Sequence, residues 1–253
     1  MISEPEFFSA LEESWPQIER TAARSLKAAA QGFLPETPKA RRCMLGMGSY
    51  GCVWQTADPR FVLKASFDAT EGPIVSTLVK KFRFHPGLVY FHGIWRLPDL
   101  VWTNEFGYTP IWIFLREEVN VGVNTVKVRG MRADMSHAAD IATSFCAALA
   151  SGESKDVMAE CRREFLEAVK LFDEPPGKKV AQLIRDALKK GIVLGDTHGG
   201  NVGLRCHDLS KFGVQKHRQF VVTDVGDPGQ APLTVDRHPK IKSIGKNCPP
   251  CFL

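Results

Sequence analysis

A single lysine stands inside an otherwise apolar run, Phe61-Val62-Leu63-Lys64-Ala65, and this run constrains the fold more than any other stretch of the chain. Bulky and β-branched residues at successive positions read as a buried strand. An ammonium group there is costly unless an anion meets it, and a nucleotide phosphate is one such anion. The alternative is an edge strand with Lys64 on its solvent face. Upstream, Leu45-Gly46-Met47-Gly48-Ser49-Tyr50-Gly51-Cys52-Val53-Trp54 sets three glycines at G-x-G-x-x-G spacing. The β-like flanks predict a strand-turn-strand lid rather than the strand-to-helix turn of a dinucleotide site. Such a lid can turn tightly and offer its amides to phosphates.

The elements around this pair follow from local signals. Ser3-Glu4-Pro5-Glu6 has the form of a helix start, and Phe8, Leu11, Trp15, Ile18, Ala22 and Ala29 recur at helical spacing. Pro16 is expected to divide this region into two helical pieces, about 4–13 and 15–31, that brace the main domain. Thr70 to Phe82 reads as a helix with Thr70 as cap and Pro73 in its first turn. His85-Pro86-Gly87 then turns into a strand at Leu88–Trp95, and Pro110–Leu115 is a further buried strand. The order is lid hairpin, lysine strand, helix, two strands. Residues 120–132 carry no decisive pattern. Helices are predicted at about 134–151, 155–173 and 176–190, the last with Val180, Leu183, Ile184, Ala187 and Leu188 on one face.

That last helix delivers the chain to Gly191-Ile192-Val193-Leu194-Gly195-Asp196-Thr197-His198-Gly199-Gly200-Asn201, where an apolar run meets an acid and an amide follows five positions later. Phosphoryl-transfer loops have this form: the carboxylate positions the attacking hydroxyl and the amide helps hold a metal on the phosphates. Val202–Arg205 and Gln219–Thr223 then read as two strands of a hairpin, the second running into Asp224-Val225-Gly226. An acid followed by an apolar residue and glycine at a strand end is a further phosphate-side signal.

Composition narrows the class. The 253 residues suffice for one bilobal unit or two small domains, and 44% hydrophobic with 24% charged content is that of a soluble globular chain. A net charge of +5 permits acidic partners without demanding nucleic acid, and no DNA-binding motif accompanies it. The acidic first residues lack the pattern of a secretory signal, charges interrupt every apolar stretch, and seven cysteines form no disulfide framework, so a cytoplasmic protein without membrane contact is expected. Cys248-Pro249-Pro250-Cys251 has C-x-x-C spacing, with an unstructured tail as the plainer reading.

Taken in order, these motifs resemble the protein-kinase-like superfamily over about Leu45 to Asp227. The resemblance implies an α+β, bilobal protein-kinase-like fold: a small antiparallel-sheet N-lobe at 43–119 and a reduced, mainly helical C-lobe with a basic tail at 120–253, after a helical extension at 1–42. It places Gly46, Gly48, Ser49, Gly51 and Val53 on the nucleotide lid and Lys64 on the α and β phosphates. Asp196 falls on the catalytic-loop aspartate, and Asn201 and Asp224 on the two holders of magnesium. ATP and Mg2+ are the implied cofactors. His198 resembles the histidine of the small-molecule kinases' loop.

Departures from the pattern are as informative. Leu194 and Gly195 stand where eukaryotic-type kinases have histidine and arginine. The glutamate that pairs with the lysine should fall roughly ten residues before His85-Pro86, where Val75 and Ser76 stand. Glu71 is the nearest candidate, about one helical turn earlier; either the helix is shifted or Lys64 lacks its ion pair. After Asp227 no activation segment or later helices are expected, as in minimal bacterial effector or phage kinases. The expectation is a minimal serine/threonine-protein kinase acting in a bacterial or host cytosol. The alternatives are a small-molecule kinase of the aminoglycoside-phosphotransferase type and a nucleotide-binding pseudokinase scaffold. Arg205, Lys211, Lys216 and Arg218 on the hairpin tip, and the basic tail, suit an acidic protein substrate.

Overall fold

Lys64 lies on the middle strand of a five-stranded antiparallel sheet. The computed structural model describes residues 4–48, 50–68, 70–82, 84–104, 107–121, 125–128, 131–134, 141, 144, 153–173, 178–190, 192, 194, 199–214 and 219–226. The architecture is α+β, and the chain divides into two compact units. One holds the chain to Lys80 with Phe91–Glu118; the other holds Lys81–Tyr90 and the chain from Val119 to Asp227.

In the first unit the strands are β1 (Met44–Gly48), β2 (Gly51–Gln55), β3 (Phe61–Ser66), β4 (Phe91–Asn104) and β5 (Gly107–Glu117), in sheet order β1-β2-β3-β5-β4. Residues paired directly across antiparallel strands share a face. The pairs Gly46↔Val53, Val53↔Lys64, Lys64↔Phe114 and Phe114↔Ile94 therefore form one row on one face. Helix α2 (Glu71–Phe82) packs on that face, where the ring of Trp112 leaves no room for a Cβ on Gly72, since its Cδ2 would lie 2.0 Å away. Trp54 belongs to the other face, against which helix α1 (Glu4–Ser25) sets Trp15 with ring centroids 5.1 Å apart. Phe7 meets Phe67 at 5.0 Å farther along.

Helix α1 is continuous through Pro16, not the two pieces that the proline predicts. Proline in a helix interior costs about 3 kcal/mol. Burial of Phe7, Phe8, Leu11, Trp15 and Ile18 outweighs this, at about 1.5–3 kcal/mol for each large apolar side chain. Pro16 and Glu12, whose carbonyl loses its helical partner, are both exposed residues. The helix also stops at Ser25, short of the expected 31, because Lys27 takes φ 58° and Ala28 N–H closes the end on Ala23 O at 2.9 Å.

The second unit contains β6 (Val119–Asn120), the hairpin β7 (Thr125–Val128) with β8 (Met131–Asp134), helices α3 (Lys155–Asp173) and α4 (Lys178–Lys189), and the hairpin β9 (Val202–Arg205) with β10 (Phe220–Val222). Strand β9 lies between β10 and β6. Helix α4 buries Val180, Leu183, Ile184 and Ala187, the face its periodicity predicts, and packs against β10. Leu88 and Val89, expected to open β4, instead run beside β10: Val89 N–H donates to Val222 O and Val222 N–H to Gly87 O, each at 2.9 Å. At Gly87 a Cβ would sit 1.9 Å from the Lys179 carbonyl oxygen, so the start of α4 requires glycine there. Apart from Ile141 and Ser144, residues 135–151 of the predicted 134–151 helix lie outside the described residues, as do Ser49, Asp196, His198 and the tail with Cys248 and Cys251. No helix among the described residues is long and apolar enough to cross a membrane.

Candidate functional site

The first unit answers the question that Lys64 poses. Its Nζ lies 2.7 Å from Glu71 Oε1, with the lysine 6% and the glutamate 1% exposed. The sequence leaves open whether Lys64 has a carboxylate partner, and Glu71 is that partner. It reaches the strand from the first residue of α2 because the connection from β3 is four residues long, Phe67–Thr70. Thr70 holds the cap position, its carbonyl accepting the first helical bond from Ile74 N–H at 3.0 Å. Val75, one turn later, is wholly buried.

The connection has its own order. Asp68 N–H donates to Ser66 Oγ at 3.2 Å, and Asp68 Oδ1 accepts from both the backbone N–H and the hydroxyl of Thr70, each at 2.7 Å. This is an Asx-type turn in front of a helix. The spacing Asp68-x-Thr70 ahead of Glu71 is the sequence signal that could have shown it.

The glycines of the lid are of two kinds. At Gly51 a Cβ would sit 2.3 Å from the Ala65 carbonyl oxygen, so the close approach of β2 to β3 demands glycine. At Gly46 and Gly48 a Cβ would meet nothing within 4 Å, and neither residue has a left-handed φ. The packing among the described residues gives no reason for glycine at either position. Val53 shares its face with Lys64, and Leu45, Met47 and Tyr50 are exposed.

The second unit brings together the two residues matched to the metal. Asn201 ends the tight turn Gly199–Asn201 just before β9, and Asp224 follows β10 by two residues. The hairpin register Val202↔Val222 extends by one step through Thr223 N–H donating to Asn201 O at 2.7 Å. Asn201 and Asp224 are thus held at one end of one hairpin, both partly exposed. An amide oxygen and a carboxylate are hard donors of the kind magnesium takes, so the pair fits that ion. Leu194 is buried, and Ile192 N–H donates to Ala187 O at 3.0 Å, so the loop leaves α4 on a fixed anchor. Asp196 itself lies outside the described residues.

No family model, curated protein or solved structure matches the chain.

One residue counted towards an acidic-substrate surface has another place. Arg205 is buried at the end of β9, where Nη2 donates to Leu88 O at 3.2 Å and the guanidinium lies 5.8 Å from the Phe84 ring centroid. It is a core residue of the second unit, whereas Lys211 on the same tip is exposed. His85, in the turn before Leu88, accepts Gly87 N–H on Nδ1 at 3.1 Å, which leaves its proton on Nε2, 3.6 Å from Asp186 Oδ2. Burial lowers its pKa from the ordinary 6.5 against the opposing pull of Asp186.

Proposed function

We propose that this chain is an ATP- and magnesium-dependent phosphotransferase with a bilobal, protein-kinase-like organisation, acting on a hydroxyl group of a protein in the cytosol. The observation that carries this reading is the buried Lys64–Glu71 pair on the strand beside a glycine hairpin. A lysine so held is a fixed cation that lacks rotamer freedom, suited to orient nucleotide phosphates. Gly46 and Gly48, for which the described packing gives no reason, suit a lid whose backbone must approach a ligand closely.

The remaining roles follow from charge. A transferring phosphoryl group carries spread negative charge, so catalysis is mainly positioning together with cations. Asn201 and Asp224 would hold the magnesium ion, which screens the phosphates. Asp196 would orient the acceptor hydroxyl and take its proton. The pseudokinase reading rested on a misplaced glutamate, and the direct bond from Glu71 to Lys64 removes that ground. The small-molecule reading keeps one specific support, the Gly195-Asp196-Thr197-His198-Gly199-Gly200-Asn201 form of the loop.

The test is incubation of the chain with γ-labelled ATP, magnesium and a cell lysate. Label on protein serine or threonine that disappears in Asp196→Asn is the expected result. Label confined to a metabolite would replace the acceptor class, and transfer unaffected by Asp196→Asn would remove the assignment altogether.

A further inference from the structure

Val75 and Ser76 stand where the resemblance puts the carboxylate, and the pairing instead relies on the first residue of α2. Helix termini fray, and a terminal side chain has more freedom than one a turn inside. Something must therefore hold the start of α2 against β3. Gly72 does part of this, since the absence of a Cβ lets the helix sit on Trp112. It sets the distance of the helix from the sheet but not the rotation of its first turn.

The turn before the helix supplies the rotation. Asp68 is buried, at 6% exposure, and its Oδ1 grips Thr70 twice, at the backbone N–H and at the hydroxyl. Its own N–H is tied to Ser66 Oγ, and Ser66 is two residues along β3 from Lys64 and on the same face. Strand, turn and helix start are thus joined by three hydrogen bonds within five residues of sequence. Thr70 directly precedes Glu71, so fixing Thr70 fixes where the Glu71 side chain leaves the backbone. The negative charges of Asp68 and Glu71 both lie at the N-terminal end of α2, where the helix dipole favours them.

We propose that Asp68 is a positioning residue: through Thr70 it sets the first turn of α2 so that Glu71 meets Lys64, and so presents the lysine ammonium to the nucleotide. Its catalytic consequence rests on the phosphotransferase reading; its effect on the pair does not. A carbonyl oxygen at this position suffices for the grip, so Asp68→Asn should preserve it and Asp68→Ala should not.

The experiment is a double-mutant cycle of Lys64→Met and Glu71→Gln, read by urea unfolding, repeated in the Asp68→Ala and Asp68→Asn backgrounds. The Lys64–Glu71 coupling constant should fall at least about tenfold in Asp68→Ala and stay within about threefold in Asp68→Asn. Thr70→Val, which removes one of the two grips, serves if Asp68→Ala fails to fold, with a partial loss expected. In transfer assays Asp68→Ala should shift kcat and KM for ATP as Glu71→Gln does, and should add nothing to Glu71→Gln. Unchanged coupling in Asp68→Ala, or in Thr70→Val where it stands in, overturns the proposal, as do additive kinetic effects. Intact coupling behaviour with no transfer in any form would refute the phosphotransferase reading and leave the positioning role standing.

Discussion

Removing one member of the Lys64–Glu71 pair should be among the most damaging single changes available to the first unit. At 2.7 Å the two charges attract by about 6 kcal/mol at an effective dielectric of about 20, before the cost of desolvating both. The net worth of the pair is far smaller, but a variant that keeps one charge keeps its desolvation cost and loses the attraction. Lys64→Met or Glu71→Leu is therefore expected to cost about 3–5 kcal/mol. All five tryptophans, at 15, 54, 95, 102 and 112, belong to the first unit, so selectively excited tryptophan fluorescence reports on that unit. With a urea slope of about 2 kcal/mol/M, the midpoint should fall by about 1.5–2.5 M. The double variant, apolar at both positions, should regain most of that loss while remaining inactive in phosphotransfer, since burying two apolar groups is close to neutral against a buried pair. Single variants that shift the midpoint by less than about 0.3 M would refute the reasoning, because no uncompensated charge would then be buried.

Three further outcomes are expected. Gly46→Ala and Gly48→Ala should leave the urea midpoint unchanged or raised, alanine in a strand being better by about 0.5–1 kcal/mol, while weakening ATP binding at least about tenfold in a titration; equal affinity would free the lid from any nucleotide role. His92, whose Nε2 lies 3.0 Å from Ser25 O, and His85 both have pKa values lowered chiefly by burial. A lowered histidine pKa leaves stability complete above the ordinary 6.5 and removes it as pH falls through 6.5 towards the folded values, so fluorescence for the first unit and hydrogen exchange for the second should both show acid weakening that His92→Gln and His85→Gln respectively diminish. Asp224→Asn should abolish magnesium-dependent transfer and leave hydrogen-exchange protection of β9 and β10 intact; retained transfer would take Asp224 out of the site.

Most of the first unit was legible because its signals are local. The glycine spacing and β-like flanks predict β1 and β2, the apolar run predicts β3, and the Thr70 cap predicts α2 to within a residue. What the sequence could not show depends on neighbours distant in the chain. Pro16 reads as a break until the packing of Trp15 on Trp54 is known. Glu71 reads as misplaced until the four-residue connection and its Asp68 turn bring the helix start to β3. Leu88 and Val89 have ordinary strand character, and only the backbone bonds to β10 decide that they lie beside Val222 rather than in β4. Arg205 looks like a surface cation by residue type, and its burial follows from its place at the end of β9. For Asn201 and Asp224, separated by 22 intervening residues, the hairpin register is what makes them neighbours.

The phosphotransfer reading assigns a fixed cation, Lys64, to the first unit and, to the second, a hairpin whose Asn201 and Asp224 would hold magnesium. The most direct measurement is transfer from γ-labelled ATP by the purified chain with and without magnesium, alongside Lys64→Met, Asp196→Asn and Asp224→Asn. The account predicts magnesium-dependent transfer, to an added protein acceptor or to the chain itself, that each of the three variants reduces at least about a hundredfold. Transfer that survives in all three variants, or a wild-type chain that neither binds ATP nor turns it over, would contradict it.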